Sequence, residues 1–102
     1  VLDYNKVQLD GRVEAIMDLA PLDDKWQAFG WHTLEIDGHD LDAVADAFAA
    51  CAAVEDRPSV IIAHTVKGKG VSFMEDTSAW HGKAPSSEEL ERALGELGVG
   101  LV

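Results

Sequence analysis

The spacing of apolar residues along the chain alternates between the two-residue repeat of strands and the repeat of about 3.6 residues of helices. Residues 31–36 alternate and are rich in β-branched and aromatic side chains, which predicts a strand. Apolar residues then recur at helical spacing over residues 41–52, with Asp40 as a candidate N-cap. The continuous apolar run 60–63 predicts a strand covered on both faces. Strand, helix and strand in this order predict an α/β fold with a parallel sheet.

The remaining segments extend this prediction in both directions. Residues 1–5 read as the end of a further strand, and the apolar positions of residues 22–29 share one helical face. Residues 66–85 form a long irregular stretch, and Ser86 with Glu89 makes a capping box that begins a last helix. Since ligands of open α/β sheets bind at the carboxyl ends of strands, the polar loops after strands are the candidate sites.

Composition and charge narrow the classes of function. The 102 residues carry eight Lys and Arg against nineteen Asp and Glu, a formal net charge of −11, which argues against nucleic-acid or anionic-membrane binding. No apolar run is long enough to span a bilayer. The single Cys51 cannot form an internal disulfide, and we expect a reducing, cytoplasmic setting. A phosphorylated ligand stays possible, because a divalent cation can reverse the local field.

The first candidate loop follows the strand at residues 1–5. The side-chain amide of Asn5 and the backbone carbonyl of Val7 are hard oxygen ligands of the kind that Mg²⁺ or Ca²⁺ accepts. The alternative is that Asn5 only tolerates a left-handed turn and bonds its own backbone. Asp10-Gly11 predicts a turn shortly afterwards.

The second candidate loop opens with the Lys67–Gly70 stretch, Lys-Gly-Lys-Gly, and reaches His81. Glycines allow backbone amides to approach an anion and Lys supplies a point charge, although the spacing is not that of a Walker A loop. His81 lies between Trp80 and Gly82, where an imidazole could transfer a proton to or from a ligand. A solvated turn and a surface histidine are the structural alternatives.

Taken in order, these segments make the whole chain resemble the later part of the diphosphate-binding domain of transketolases, in its small-subunit or N-terminal-section form. Each segment is a weak signal alone, whereas their shared order and spacing are specific. The matching segments are 2–11, 21–22, 25–32, 37–40, 61–74 and 80–85.

The resemblance implies roles for particular residues. Asn5, through its side chain, and Val7, through its carbonyl, would bind Mg²⁺ or Ca²⁺ that bridges to the diphosphate of thiamine diphosphate. Lys67 would reach the diphosphate side of the cofactor. His81 would contact both cofactor and sugar substrate and assist proton movement at the substrate hydroxyls, which makes it the catalytic candidate. Lys83 is a weaker candidate for substrate phosphate or for loop structure.

The resemblance also implies a fold, an activity and partners. Residues 1–102 would be a partial diphosphate-binding domain, because the Gly-Asp-Gly motif of the family lies upstream of residues like Asp3-Tyr4-Asn5. The implied reaction transfers a two-carbon ketol unit from a ketose phosphate to an aldose phosphate. The implied partner is the pyrimidine-binding domain or subunit, in a dimer or heterotetramer. We do not expect the chain to be active alone.

A different class of function is also consistent with the sequence. The chain could be a non-catalytic α/β partner subunit or a degenerate domain that binds another chain. In that case Trp26, Phe29 and Trp31, which read as core or interface aromatics, would contribute apolar surface to the interface.

Overall fold

The computed structural model describes residues 1–99 as two compact units. The first unit joins Val1–Asn5 to Met17–Thr65, and the second joins Lys6–Ile16 to the chain from Val66 onward. In chain order the elements are β1 (Leu2–Tyr4), β2 (Val7–Gln8), β3 (Gly11–Arg12), α1 (Val13–Ile16), α2 (Leu22–Ala28), β4 (His32–Asp37), α3 (Leu41–Ala52), β5 (Ser59–His64), a 3₁₀ turn (Ser78–Trp80) and α4 (Ser87–Glu96).

The first unit is built on a three-stranded parallel sheet with the order β1-β5-β4. The central strand β5 is buried from Val60 to Ala63, and Ile62 is 0% exposed. This burial explains the continuous apolar run in the sequence, since both faces of β5 are covered. The predicted βαβ unit and the parallel sheet are therefore confirmed.

The sheet brings the carboxyl ends of its three strands level with one another. His64 at the end of β5 lies opposite Tyr4 of β1 on one side and Asp37 of β4 on the other. The N–H of Gly38 donates to the His64 carbonyl at 2.8 Å, which turns the chain away from the strand. Asn5, Gly38 and Thr65 consequently follow three adjacent strand ends at one edge of the sheet.

Helix α3 begins at its predicted cap, but its large apolar side chains do not all face the sheet. One carboxylate oxygen of Asp40 accepts hydrogen bonds from the N–H groups of Asp42 at 3.0 Å and Ala43 at 3.1 Å. The small residue Ala47 is buried, whereas Leu41 is 80% and Phe48 54% exposed. A small side chain at residue 47 allows close approach of the helix to the sheet, whereas the two larger apolar side chains stay exposed.

The aromatic residues of segment 26–31 lie in two environments. Trp26 and Trp31 stack edge to face, with ring centroids 4.8 Å apart, as a core or interface pair would. Phe29 is 82% exposed, so the core alternative for this residue is wrong. It follows α2 as the C-cap of that helix, in which no residue is buried.

The second unit combines a short hairpin, a long loop and a capped helix. Strands β2 and β3 pair antiparallel around a turn at Leu9-Asp10, one residue before the predicted Asp10-Gly11 turn, because Gly11 already belongs to β3. Residues 66–85 are irregular apart from the 3₁₀ turn, as predicted. Ser86 and Glu89 form the predicted capping box of α4. Across residues 1–99, none of the helices has the length and apolar character that a membrane crossing requires.

The close approach at Gly38 generates a stability prediction. A Cβ added there would lie 2.5 Å from Thr65 Cγ2 and 3.0 Å from Ala63 Cβ, so the strand ends would have to shift. We expect Gly38→Ala to lower the free energy of unfolding by about 1–3 kcal/mol, the usual range for overpacking. Urea unfolding followed by circular dichroism measures this change.

Gly82→Ala is the matched control, because nothing lies within 4 Å of a Cβ added at Gly82. Equal stability of the two variants would contradict the close packing of these strand ends.

Candidate functional site

Polar side chains at the carboxyl end of β1 form the first part of the site. The hydroxyl of Thr65, after β5, donates to one carboxylate oxygen of Asp3. The amide nitrogen of Asn5 faces the other oxygen of Asp3 at 3.4 Å, longer than an ordinary hydrogen bond. The Asn5 amide thus turns its nitrogen, and not its oxygen, toward the carboxylate. A cation ligand needs the opposite atom of the amide, the oxygen.

A second polar contact lies at the same edge of the sheet. The Nε2 atom of His64 is 2.8 Å from a carboxylate oxygen of Glu35, and the ring of Tyr4 stacks edge to face on the His64 imidazole at 5.7 Å. Glu35 comes from β4 and Tyr4 from β1, so this contact connects all three strands. The carboxyl ends of the three strands are therefore held together by polar and aromatic contacts as well as by the backbone pairing of the strands.

The residue between the two predicted metal ligands explains the turn. Lys6, and not Asn5, adopts the left-handed conformation, with φ 62°. The Lys6 carbonyl accepts a hydrogen bond from Val13 N–H at 2.9 Å, which fixes this conformation within the second unit. The alternative in which Asn5 serves only as the left-handed residue is therefore wrong. Val7 begins β2 with a buried side chain.

The chemistry of the donors fits a hard divalent cation. Within residues 1–99, no group of three or more His, Cys, Asp or Glu side chains comes together as a metal cluster. The Asn5 amide and the Val7 carbonyl supply neutral oxygen atoms, which Mg²⁺ and Ca²⁺ accept. Two oxygens are fewer than the roughly six ligands that such an ion takes, so phosphate oxygens and other groups would complete the shell.

The Lys67–Gly70 stretch is a tight turn whose glycines are needed for packing. Gly68 has φ 73°, and a Cβ added there would lie 2.5 Å from the carbonyl oxygen of Met74. The N–H of Gly70 donates to a Glu75 carboxylate oxygen at 2.9 Å. These groups serve the turn itself, so the side chains of the half-buried Lys67 and the exposed Lys69 are the positive groups of this stretch.

His81 follows Trp80, a residue whose side chain is held by two contacts. Its N–H donates to the Ser78 carbonyl at 2.9 Å, which ends the 3₁₀ turn, and its side chain is exposed. The indole N–H of Trp80 donates to the carbonyl of Phe73 at 3.0 Å, and the two rings stack edge to face at 5.5 Å. The backbone is thus fixed on one side of His81 while the imidazole stays accessible to a ligand.

The predicted residues divide between the two units. Asn5 belongs to the first unit, whereas Val7, Lys67 and His81 belong to the second. Lys67 and His81 lie in the same irregular stretch of chain, residues 66–85.

Sequence reasoning missed the charged residues that hold this stretch. The capping box and the apolar stripe predict helix α4 and the capping role of Glu89, but they do not predict that Glu89, Arg92 and Glu96 all contact the long loop. Their i, i+3, i+7 spacing places them on one face of a helix and was the available signal. Lys83 lies against this face, with its ammonium 2.6 Å from a Glu89 oxygen.

Comparisons with known proteins agree with this fold. The family model described as the transketolase thiamine diphosphate binding domain matches residues 1–100. The chain is 44% identical over 95 residues to SqwG, a component of the 6-deoxy-6-sulfo-D-fructose transketolase of a Clostridium species, covering 93% of this chain and 34% of that protein. It is 37% identical over 97 residues to one of the subunits of the apulose-4-phosphate transketolase of Phocaeicola vulgatus, covering 95% and 34%.

A solved structure shows the same architecture. The transketolase of Campylobacter jejuni superposes with a TM-score of 0.84 at 27% identity, over 95% of this chain and 15% of that one. The chain spans about a third of the length of the two transketolase subunits. On its fold and on the match over residues 1–100, the chain belongs to the transketolase thiamine diphosphate binding domain family.

Proposed function

We propose that this chain is part of a transketolase-type enzyme that transfers a two-carbon ketol unit from a ketose phosphate to an aldose phosphate, using thiamine diphosphate and a divalent cation. The observation that carries the proposal is the match of residues 1–100 to the thiamine diphosphate binding domain. The exposed His81 beside an anchored Trp80 supports it, because a substrate-facing histidine needs both access and a fixed backbone.

The cofactor would be held through a cation and through one lysine. The side-chain oxygen of Asn5 and the carbonyl of Val7 would bind Mg²⁺ or Ca²⁺, which neutralises the diphosphate in a chain of net charge −11. Lys67 would add a positive charge on the diphosphate side. Thiamine diphosphate, when bound, supplies the nucleophilic carbon of the reaction. The protein then contributes position and electrostatics.

His81 would act on the sugar substrate. Imidazole exchanges protons near neutral pH, so His81 can accept a proton from a substrate hydroxyl and return it. The names of both relatives pair a sugar with a strongly acidic group, a sulfonate or a phosphate. We accordingly propose an anionic ketose as the donor substrate.

The relatives are named subunits, and this supports a multi-chain assembly. We propose that the pyrimidine-binding part of the enzyme completes the site, in a dimer or heterotetramer in the cytoplasm. A non-catalytic partner chain is the less favoured function, because the relatives that match are parts of transketolases.

The role of Asn5 can be tested by cofactor binding. We expect Asn5→Ala in the full-length natural protein, with its partner chains, to weaken Mg²⁺-dependent binding of thiamine diphosphate by about tenfold or more, since a metal ligand is lost. Isothermal titration calorimetry at fixed Mg²⁺ measures the affinity. Asp10→Ala, in the exposed hairpin turn, is the control and should bind normally. Equal affinities for the two variants would remove Asn5 from the metal site.

The role of His81 can be tested by separating turnover from cofactor binding. We expect His81→Ala to lower kcat by about 10²–10⁴-fold, the range for loss of a general acid–base group, with a much smaller change in cofactor affinity. Steady-state kinetics with a ketose phosphate donor and calorimetry measure the two effects.

His32→Asn is the matched histidine control. His32 begins β4, at the opposite end of the strand from the carboxyl-end site, and its Nδ1 contacts the Ser59 hydroxyl at 3.3 Å. Unchanged turnover in His81→Ala, or an equal loss in His32→Asn, would show that the proposed role of His81 is wrong.

A further inference from the structure

One carboxylate of α4 holds both ends of the segment that follows His81. An oxygen of Glu89 accepts from the ammonium of Lys83 at 2.6 Å, and its other oxygen accepts from the N–H of Ser86 at 2.8 Å. The hydroxyl of Ser86 in turn accepts a hydrogen bond from the N–H of Glu89 at 3.2 Å. The capping box therefore does more than begin α4, since it also binds a lysine two residues after His81.

Lys83 makes a second contact on the other side of His81. Its ammonium lies 4.1 Å from the centroid of the Trp80 ring, a cation–π distance. Trp80 is in turn fixed to Phe73 by its indole N–H and by edge-to-face stacking. His81 thus lies in a short segment whose two flanks, Trp80 and Lys83, contact each other.

Two further charged residues of the same face of α4 hold the start of the loop. The guanidinium of Arg92 lies 4.3 Å from the centroid of the Phe73 ring. A carboxylate oxygen of Glu96 accepts from the Ser72 hydroxyl at 2.9 Å, and the other accepts from the Ser72 N–H. These two contacts, with the one at Glu89, give α4 three points of attachment to residues 72–86.

The electrostatics favour a closed ion pair over a free lysine. The hydrogen bond from Lys83, and then that from Ser86, hold the pKa of the Glu89 carboxyl below its ordinary value. A glutamate is ionised at neutral pH even without this shift, so the charge of Glu89 offsets that of Lys83. The Lys83 ammonium thus has a carboxylate partner at 2.6 Å before any substrate is bound.

We propose that Lys83 and Glu89 are positioning residues for His81: the ion pair, closed over Trp80, holds the His81-Gly82 segment against α4 so that the imidazole faces the substrate. This inference rests on the proposed function for the role of His81, whereas the ordering of the segment stands on the contacts alone. Exposed ion pairs contribute little to global stability, so the effect of breaking this one should be local.

The variants Lys83→Met and Glu89→Gln in the full-length natural protein test the proposal. Met keeps an apolar stem over Trp80 but removes the charge, and Gln keeps the size of Glu89. Lys83→Arg should keep the ion pair with Glu89, because a guanidinium also binds a carboxylate. Glu91→Gln, an exposed glutamate on the same helix, is the matched control.

The first measurement is hydrogen exchange of residues 77–86 without cofactor or substrate. We expect Lys83→Met and Glu89→Gln to lose protection there at unchanged melting temperature, with Lys83→Arg and Glu91→Gln like the wild type. Unchanged protection in both disrupted variants would overturn the ordering role, whether or not the protein is a transketolase.

The second measurement is steady-state kinetics with its partner chains, thiamine diphosphate and Mg²⁺. We expect kcat to fall on the order of tenfold to a hundredfold in both disrupted variants, the scale of a small misplacement, with an unchanged donor KM. A raised KM with normal kcat in Lys83→Met alone would instead make Lys83 a phosphate ligand and overturn the proposal. A wild-type protein without ketol transfer would refute the proposed function separately.

Discussion

The pairing of β5 with a parallel strand on each side is the constraint on which the first unit depends. Ile62 is fully buried at its centre, and its register places it opposite Leu2 on one side and Glu35 on the other. Parallel strands point the same way, so their carboxyl ends must meet at one edge. The position of Asn5 in the candidate site is a consequence of this pairing.

The second unit obtains its order differently. Its loop, residues 66–85, contains turn hydrogen bonds but no strand and no α-helix, and side chains of α4 add an ion pair, a cation–π contact and carboxylate hydrogen bonds. Gly68 lets the loop fold back on Met74, at a distance that a larger residue would not permit. A histidine on such a loop can be accessible and still have a defined backbone.

Local sequence signals are sufficient to predict most of the fold. The alternation before Asp37, the apolar run at Ile62 and the caps at Asp40 and Ser86 each act over a few residues, and each element is present in the structure. The core alternative for Phe29 is wrong because periodicity shows that a helix has an apolar face and does not show what covers it.

Less of the candidate site than of the fold can be predicted from local sequence signals. Donor chemistry points to Asn5 and Val7, but the left-handed residue between them, Lys6, has no glycine-like signal in the sequence. The link between Ser72 and Glu96 joins residues 24 positions apart, and only the folded chain brings them together. The ion pair of Glu89 with Lys83 could not be predicted from the sequence, because the capping box already accounts for a glutamate at this position.

A crystal structure of the full-length natural protein with its partner chains, thiamine diphosphate, Mg²⁺ and a ketose phosphate donor tests the central proposal most directly. We expect the metal to contact the side-chain oxygen of Asn5 and the carbonyl oxygen of Val7, with the His81 imidazole within hydrogen-bond distance of a substrate hydroxyl. A metal bound by neither oxygen, or a His81 imidazole remote from both cofactor and sugar, would contradict it.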